Sequence, residues 1–233
     1  MGKGNRGTRD TPYKAVIVGG GPAGTAIIVR AIRLGVLDEL LGPDLVNKSS
    51  AGVLLCDAGP VTKLGTGELG HYSINSNTHA NKFLHHVVND RPDVIPSEKV
   101  TGTVLEPLRR TAAAAVLERL GSQVAPLEQI GDFLEEVGRV VKGVLDEHSE
   151  SACLCDTKVC GAKQTVDSGP FQITLKPTNS GPESSAPSEI IYASKLILAT
   201  GGCQRLPVCF APIFFLTLDK IPILSICLLI WLP

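Results

Sequence analysis

Six residues, Gly19-Gly20-Gly21-Pro22-Ala23-Gly24, put glycine at each fixed position of G-x-G-x-x-G, directly after the apolar run Ala15-Val16-Ile17-Val18. After a strand and at the opening of a helix, that spacing suits a dinucleotide. Gly19 permits the tight turn, Gly21 lets a pyrophosphate approach the backbone, and Gly24 lets the helix lie close on the sheet. The first N–H groups of the helix and its positive dipole end then face the phosphates. A ribose needs a carboxylate, and Asp57 closes the second apolar run, Val53-Leu54-Leu55-Cys56. Asp57 lies 33 residues past Gly24, farther than the roughly 20 of the compact motif. The polar insertion 43–50 accounts for the excess. The lesser alternative is a strand-terminal aspartate capping the following turn.

Further candidates lie downstream. Gly65 and Gly67, in a glycine-rich stretch, would let a loop run close to a ligand, and Ser76 or Thr78 could bond a phosphate or ribityl oxygen. The alternative is a surface loop followed by helix caps. Ala199-Thr200-Gly201 is a small-residue turn after an apolar run, again suited to a close backbone approach. His71 and His79 have no evident partner and suit structural or solvent-exposed roles. Cys153, Cys155 and Cys160, with His148, could be counted as four zinc ligands, but the paired C-x2-C spacing is missing. Free thiols are the expectation.

These residues need positioning elements. Apolar runs predict strands over 14–18 and 53–56, with a helix over 23–34 and an extended connection over 35–52 between them. A helix is expected over 78–88, with Thr78 as its N-cap, then a loop over 92–103 and a second helix over 105–120. Ile130, Phe133, Leu134, Val137, Val140, Val141, Val144 and Leu145 recur at helical spacing, predicting an amphipathic helix over 127–145 that packs on a core. The period then changes to two: strands are expected over 171–175, 190–192 and 195–199, around a polar loop at 177–188.

Taken in order, the glycine turn, the acidic end of strand two, the meander and Ala199-Thr200-Gly201 resemble two-dinucleotide-binding-domain flavoproteins. These are FAD- and NAD(P)-dependent oxidoreductases, including disulfide reductases and N-hydroxylating or related monooxygenases. The resemblance implies an α/β, Rossmann-like FAD-binding domain over 14–205, with a parallel sheet, a helical insertion and a small antiparallel meander. It implies FAD held by Gly19, Gly20, Gly21, Pro22, Ala23, Gly24, Asp57, Gly65, Gly67, Ser76, Thr78, Ala199, Thr200 and Gly201. It also implies NAD(P)H as reductant, with hydride passing through flavin to a small-molecule substrate or to oxygen. Such proteins usually carry Glu where Asp57 stands. Cys155 and Cys160 reproduce the C-x4-C spacing of flavin disulfide reductases, but after the long helix rather than soon after strand two, so a monooxygenase-like member is favoured. No catalytic acid, base or nucleophile stands out. An inactive or non-catalytic nucleotide-binding fragment and an NAD-only dehydrogenase are the other readings.

Composition narrows the partners. A formal net charge of −1 over 233 residues and 4% aromatics give no case for nucleic acid. Seven cysteines, an odd number spread unevenly, fit reduced thiols in the cytoplasm. Residues 1–13 read as a disordered lead-in without a secretory signal. The apolar stretch 206–233, broken by prolines and by Asp219-Lys220, reads as an aberrant or truncated end. A membrane partner enters only if that stretch is a genuine anchor. The sequence does not specify an oligomeric state.

Overall fold

A computed structural model describes residues 7–43, 51–69, 75–90, 98–164, 169–178 and 188–201. The chain begins with β1 (Tyr13–Val18), α1 (Pro22–Leu34), α2 (Leu37–Leu41) and β2 (Ala51–Cys56). It continues with β3 (Asn75–His79), α3 (Ala80–Val87), α4 (Ala112–Leu120), β4 (Val124–Pro126) and α5 (Leu127–Glu147). Five strands complete it: β5 (Ala152–Leu154), β6 (Thr157–Gln164), β7 (Phe171–Pro177), β8 (Glu189–Ala193) and β9 (Leu196–Leu198).

Seven strands form one mixed sheet in the order β5-β2-β1-β8-β7-β6, with β9 also paired to β1. β5, β2, β1 and β9 run parallel, and β8, β7 and β6 form an antiparallel meander, in which β7 and β8 are expected and β6 is not. Every residue of β2 is buried, as a central parallel strand covered on both faces requires. Ala15, Ile17, Val53 and Leu55 face a core built with α1 and α5, while Val16, Leu54 and Cys56 face Ile173 and Leu175 of β7. The fold is therefore α/β and Rossmann-type, with helices on one face of the parallel strands and the meander on the other.

Local chemistry explains the elements that carry the glycine turn. α1 starts with Pro22, whose missing N–H costs nothing there. It ends where Gly35, in the left-handed region, donates its N–H to the Ala31 and Ile32 carbonyls. α5 buries Ile130, Phe133, Leu134, Val137, Val141 and Leu145, the stripe that the periodicity predicts. Its Gly138 meets the loop after β2 directly: a Cβ there would lie 1.9 Å from the Leu64 carbonyl oxygen.

Several boundaries differ from the sequence expectation. The 35–52 connection contains α2. The helix expected over 78–88 starts at Ala80, and Thr78 lies in β3 instead of capping it; His79 holds the cap position and its side chain makes no capping bond. β3 pairs antiparallel with β4 in a separate two-stranded sheet, a pairing between segments distant in sequence that local propensity cannot reveal. The helix expected over 105–120 is broken at Thr111, which adopts an extended backbone and accepts a bond from the Ala114 N–H at 3.2 Å. A short 3₁₀ turn, Glu106–Arg110, precedes the break. The cysteine-bearing segment 152–164 forms β5 and β6, which its polar composition conceals. Residues 206–233 lie outside the described residues. No helix among the described residues is long and apolar enough to cross a membrane.

Candidate functional site

The carboxyl ends of β1, β2 and β9 meet at the glycine turn. Gly19 adopts φ +106° and donates its N–H to the Cys56 carbonyl at 2.8 Å. A Cβ on Gly19 would lie 2.4 Å from the Ala199 carbonyl oxygen, so this turn is pressed against the end of β9. Ala199 in turn donates to the Val18 carbonyl at 2.8 Å. Gly20 donates to Asp57 Oδ1 at 3.1 Å, and a Cβ on it would strike Leu64 at 2.4 Å and the Asp57 Cβ at 2.9 Å. On Gly24, a Cβ would lie 1.9 Å from the Gly19 carbonyl oxygen, which fixes α1 directly on the turn.

Gly21 is different. Its added Cβ would meet only the Gly67 Cα, at 3.9 Å. A Cβ on Gly67 would in turn lie 3.5 Å from the Gly21 Cα and 3.9 Å from Pro22 Cδ, so the two glycines pass each other at contact distance. Gly21 is also the N-cap of α1; no side chain caps the helix, and no acidic residue sits in its first turn. The positive end of this 13-residue helix is thus not offset by a capping side chain or by an acid of its own first turn.

The loop after β2 is bonded to the turn. Gly65 donates to the Gly20 carbonyl at 2.7 Å. With φ +87°, a Cβ on Gly65 would lie 2.0 Å from the Leu134 carbonyl oxygen of α5. Between the two glycines, Thr66 is 8% exposed, and its hydroxyl has no hydrogen-bond partner among the described residues. A buried hydroxyl of this kind is costly unless something satisfies it. Sequence reasoning misses Thr66, although its setting in Gly65-Thr66-Gly67 is the signal available. Lys63 and Glu68 flank the loop as an ion pair at 3.0 Å.

Asp57 is held from below. Its N–H donates to the Leu154 carbonyl at 2.8 Å, and its carbonyl accepts from the Thr157 N–H at 2.9 Å. Beside it, burial above all pushes the Cys56 thiol up to about 12, with Glu189, Asp57 and Cys155 adding in the same direction. That thiol stays protonated and packs as a small apolar group.

The structure therefore brings together Gly19, Gly20, Gly21, Pro22, Ala23, Gly24, Asp57, Gly65, Gly67 and Ala199. Thr200 and Gly201 continue from β9 and are exposed. Ser76 and Thr78 lie on β3 in the separate two-stranded sheet, where the Ser76 hydroxyl accepts from the Thr78 N–H at 2.9 Å. His71 lies outside the described residues, and His79 ends β3. Cys56, Cys153, Cys155 and Cys160 are free thiols, and no group of three or more metal-ligating residues forms among the described residues.

No family model matches the chain. Over 196 residues it is 31% identical to a CMP-5'-(3-aminopropyl)phosphonate hydroxylase of Streptomyces rubellomurinus, covering 84% of this chain and 38% of that protein. An adenylate kinase of a Jannaschia species is 28% identical over 131 residues, covering 56% of this chain and 68% of that kinase. At the glycine turn the phosphate-loop pattern G-x-x-x-x-G-K-[ST] is not met, because Thr25 follows Gly24 where lysine is required. Among solved structures, an FAD-bound cadaverine monooxygenase from Erwinia amylovora gives a TM-score of 0.48 at 14% identity, covering 85% of this chain and 38% of that one. A polycyclic ketone monooxygenase from Thermothelomyces thermophila gives 0.47 at 17% identity, covering 83% and 24% respectively. The chain spans well under half the length of that hydroxylase and of both monooxygenases. The resemblance to two-dinucleotide-binding-domain flavoproteins is matched by the Rossmann-type fold.

Proposed function

We propose that this chain is the FAD-binding portion of a flavin-dependent oxidoreductase of the monooxygenase kind. The observation that carries the reading is the uncapped N-terminus of α1 at Gly21, where an added Cβ would meet no atom closer than 3.9 Å. A pyrophosphate suits such a helix start because its first N–H groups have no partner within the helix. The buried Thr66 hydroxyl, on the neighbouring loop, is a polar group in need of a partner. Asp57 orients the turn through Gly20 and offers its carboxylate to the adenosine ribose. Ala199, Thr200 and Gly201 bring backbone toward the flavin end, and Ser76 and Thr78 are assigned to its phosphate or ribityl side.

When bound, FAD would accept hydride from NAD(P)H and pass the electrons to a small-molecule substrate or to dioxygen. These residues bind and orient; none is assigned a proton-transfer role. Similarity to a hydroxylase and the position of Cys155 and Cys160 beyond the long helix both favour oxygenation over disulfide reduction.

The test is a visible spectrum of the purified chain, before and after reconstitution with FAD. Flavin absorbance is expected, and Gly21→Ala should lower FAD affinity by about tenfold or more while leaving the fold intact, a loss of roughly 1.4 kcal/mol. A well-folded protein that cannot be reconstituted would overturn the reading.

A further inference from the structure

A pair of thiols lies beneath the Asp57 loop. Cys153 is the middle residue of β5, in register with Leu55 of β2, and Cys155 lies just past the strand end. Side chains alternate along a strand, so residues 153 and 155 share a face. Both pack into the core on the helix side, whereas Ala152 and Leu154 pack under the meander. Cys153 is buried and Cys155 half-buried, and both are free. The neighbouring Cys153 thiol acts most strongly to hold the Cys155 thiol below the ordinary thiol range. The Lys142 ammonium acts in the same direction, against burial and the charges of Asp57 and Asp156. The Cys155 thiol, with burial, raises the Cys153 thiol.

The backbone around the pair is tied to the groove. The Leu154 carbonyl, between the two cysteines, accepts the Asp57 N–H, and the Thr157 N–H binds the Asp57 carbonyl. The Thr157 hydroxyl donates to the Cys155 carbonyl at 3.0 Å. Between them Asp156 takes φ 51°, the one non-glycine residue with positive φ among those described.

We propose that Cys153 and Cys155 are a site of reversible oxidation by hydrogen peroxide, whose disulfide loosens the Asp57 end of the nucleotide groove. The second half rests on the nucleotide-binding function proposed for that groove. The Cys155 thiolate attacks peroxide, the O–O bond breaks, and hydroxide leaves and takes a proton as water. The resulting sulfenic acid is attacked by the Cys153 sulfur; the S–S bond forms and a second water carries away the remaining oxygen. Two thiols are oxidised by two electrons and one peroxide is reduced to two waters.

Geometry supplies the coupling. Residues two apart on a strand are about 6.6–6.8 Å apart, whereas disulfides favour a Cα separation of about 5.5–6 Å. Closing the bond must draw in the strand end and displace the Leu154 carbonyl from Asp57. A disulfide closed under that constraint is readily reduced, as suits a switch and not a staple.

Tryptic peptide mapping of the reduced, peroxide-treated chain tests the site. Both cysteines fall in the peptide 143–158, and Cys160 falls in the next, 159–163. Peptide 143–158 is expected to lose the mass of two hydrogens and to regain it with dithiothreitol, in wild type and Cys160→Ser but not in Cys155→Ser. Overoxidised Cys155 without the disulfide, or equal oxidation of Cys160, overturns the site. For the coupling, FAD affinity is compared between oxidised and reduced protein. Oxidised protein should bind about fivefold or more weakly, the lower end of coupling between linked sites, and recover on reduction. Equal affinity overturns the coupling. Failure of both forms to bind FAD removes the coupling together with the cofactor reading, while the peptide mass still decides the thiol site.

Discussion

The glycines of the turn and of the loop after β2 do different work, and substitution separates them. A methyl on Gly24 collides with the Gly19 carbonyl and one on Gly65 with the Leu134 carbonyl, in both cases backbone that cannot swing aside. Gly24→Ala is therefore expected to destabilise the fold by about 2–3 kcal/mol, against about 0.5 or less for Gly21→Ala. Urea midpoints of the two variants, measured without added nucleotide, check the contrast; equal midpoints would contradict it. At this scale the site is partly legible in the sequence. Gly19, Gly21, Gly24 and Asp57 can be named because their spacing is local and each has a known geometric task. The pairing of Gly65 with Gly138 cannot, since a contact between a loop and a helix so far along the chain leaves no periodic trace. Thr66 escapes for a related reason: a threonine in a glycine loop looks ordinary until its burial is known.

Elements depend on knots of polar residues that periodicity does not encode. Asp90, just past α3, ties the end of that helix to Val100, Thr101 and Arg109. Its Oδ1 accepts the Val100 N–H at 2.6 Å; its Oδ2 accepts the Thr101 hydroxyl at 2.7 Å and Arg109 Nη2 at 3.1 Å. The Thr101 hydroxyl and the Val100 N–H above all hold this carboxyl well below the usual carboxylate range, with burial opposing them and Arg109 and the Thr101 N–H adding to them. A depressed folded-state value means that the stabilisation is fully present above the unfolded value of about 3.9 and is lost as pH falls below it toward the folded one. Wild type should thus lose more stability than Asp90→Asn between pH 5 and pH 3, by the urea midpoint; parallel curves would rule this out. The long helix is legible to within two residues at its far end, because its apolar stripe repeats over many turns. β6 is not: all but two of its residues are exposed, so as the outer strand of the meander it carries no strong alternation.

For the molecule as a whole, one ion cluster joins two parts of the chain that lie far apart in sequence. Glu98, 3% exposed, accepts Arg33 Nε at 2.8 Å and also pairs with Arg30, both on α1. Lys99 donates its N–H to the Arg33 carbonyl at 2.8 Å, so the insertion is anchored to the helix that opens at the glycine turn. Glu98→Ala leaves buried guanidinium charge without its carboxylate and should cost about 3–5 kcal/mol. Thermal unfolding checks this, and a change within error would show that the charges relax into solvent. The architecture of helices on one face and a meander on the other is legible from the order of motifs, whereas this anchor is not, because charged residues read as surface until their burial is seen. The contact between Gly19 and Ala199 also carries a consequence in time. Its partners are 180 residues apart, and chains emerge at about 5–20 residues per second, so roughly 10–40 s of synthesis separate them. The first strand is made early, yet the last clamp on its turn comes only near the end of the described chain. The groove is accordingly completed late in translation, and a ribosome stalled before β9 would display a glycine turn held by β2 and its loop but still open on the β9 side.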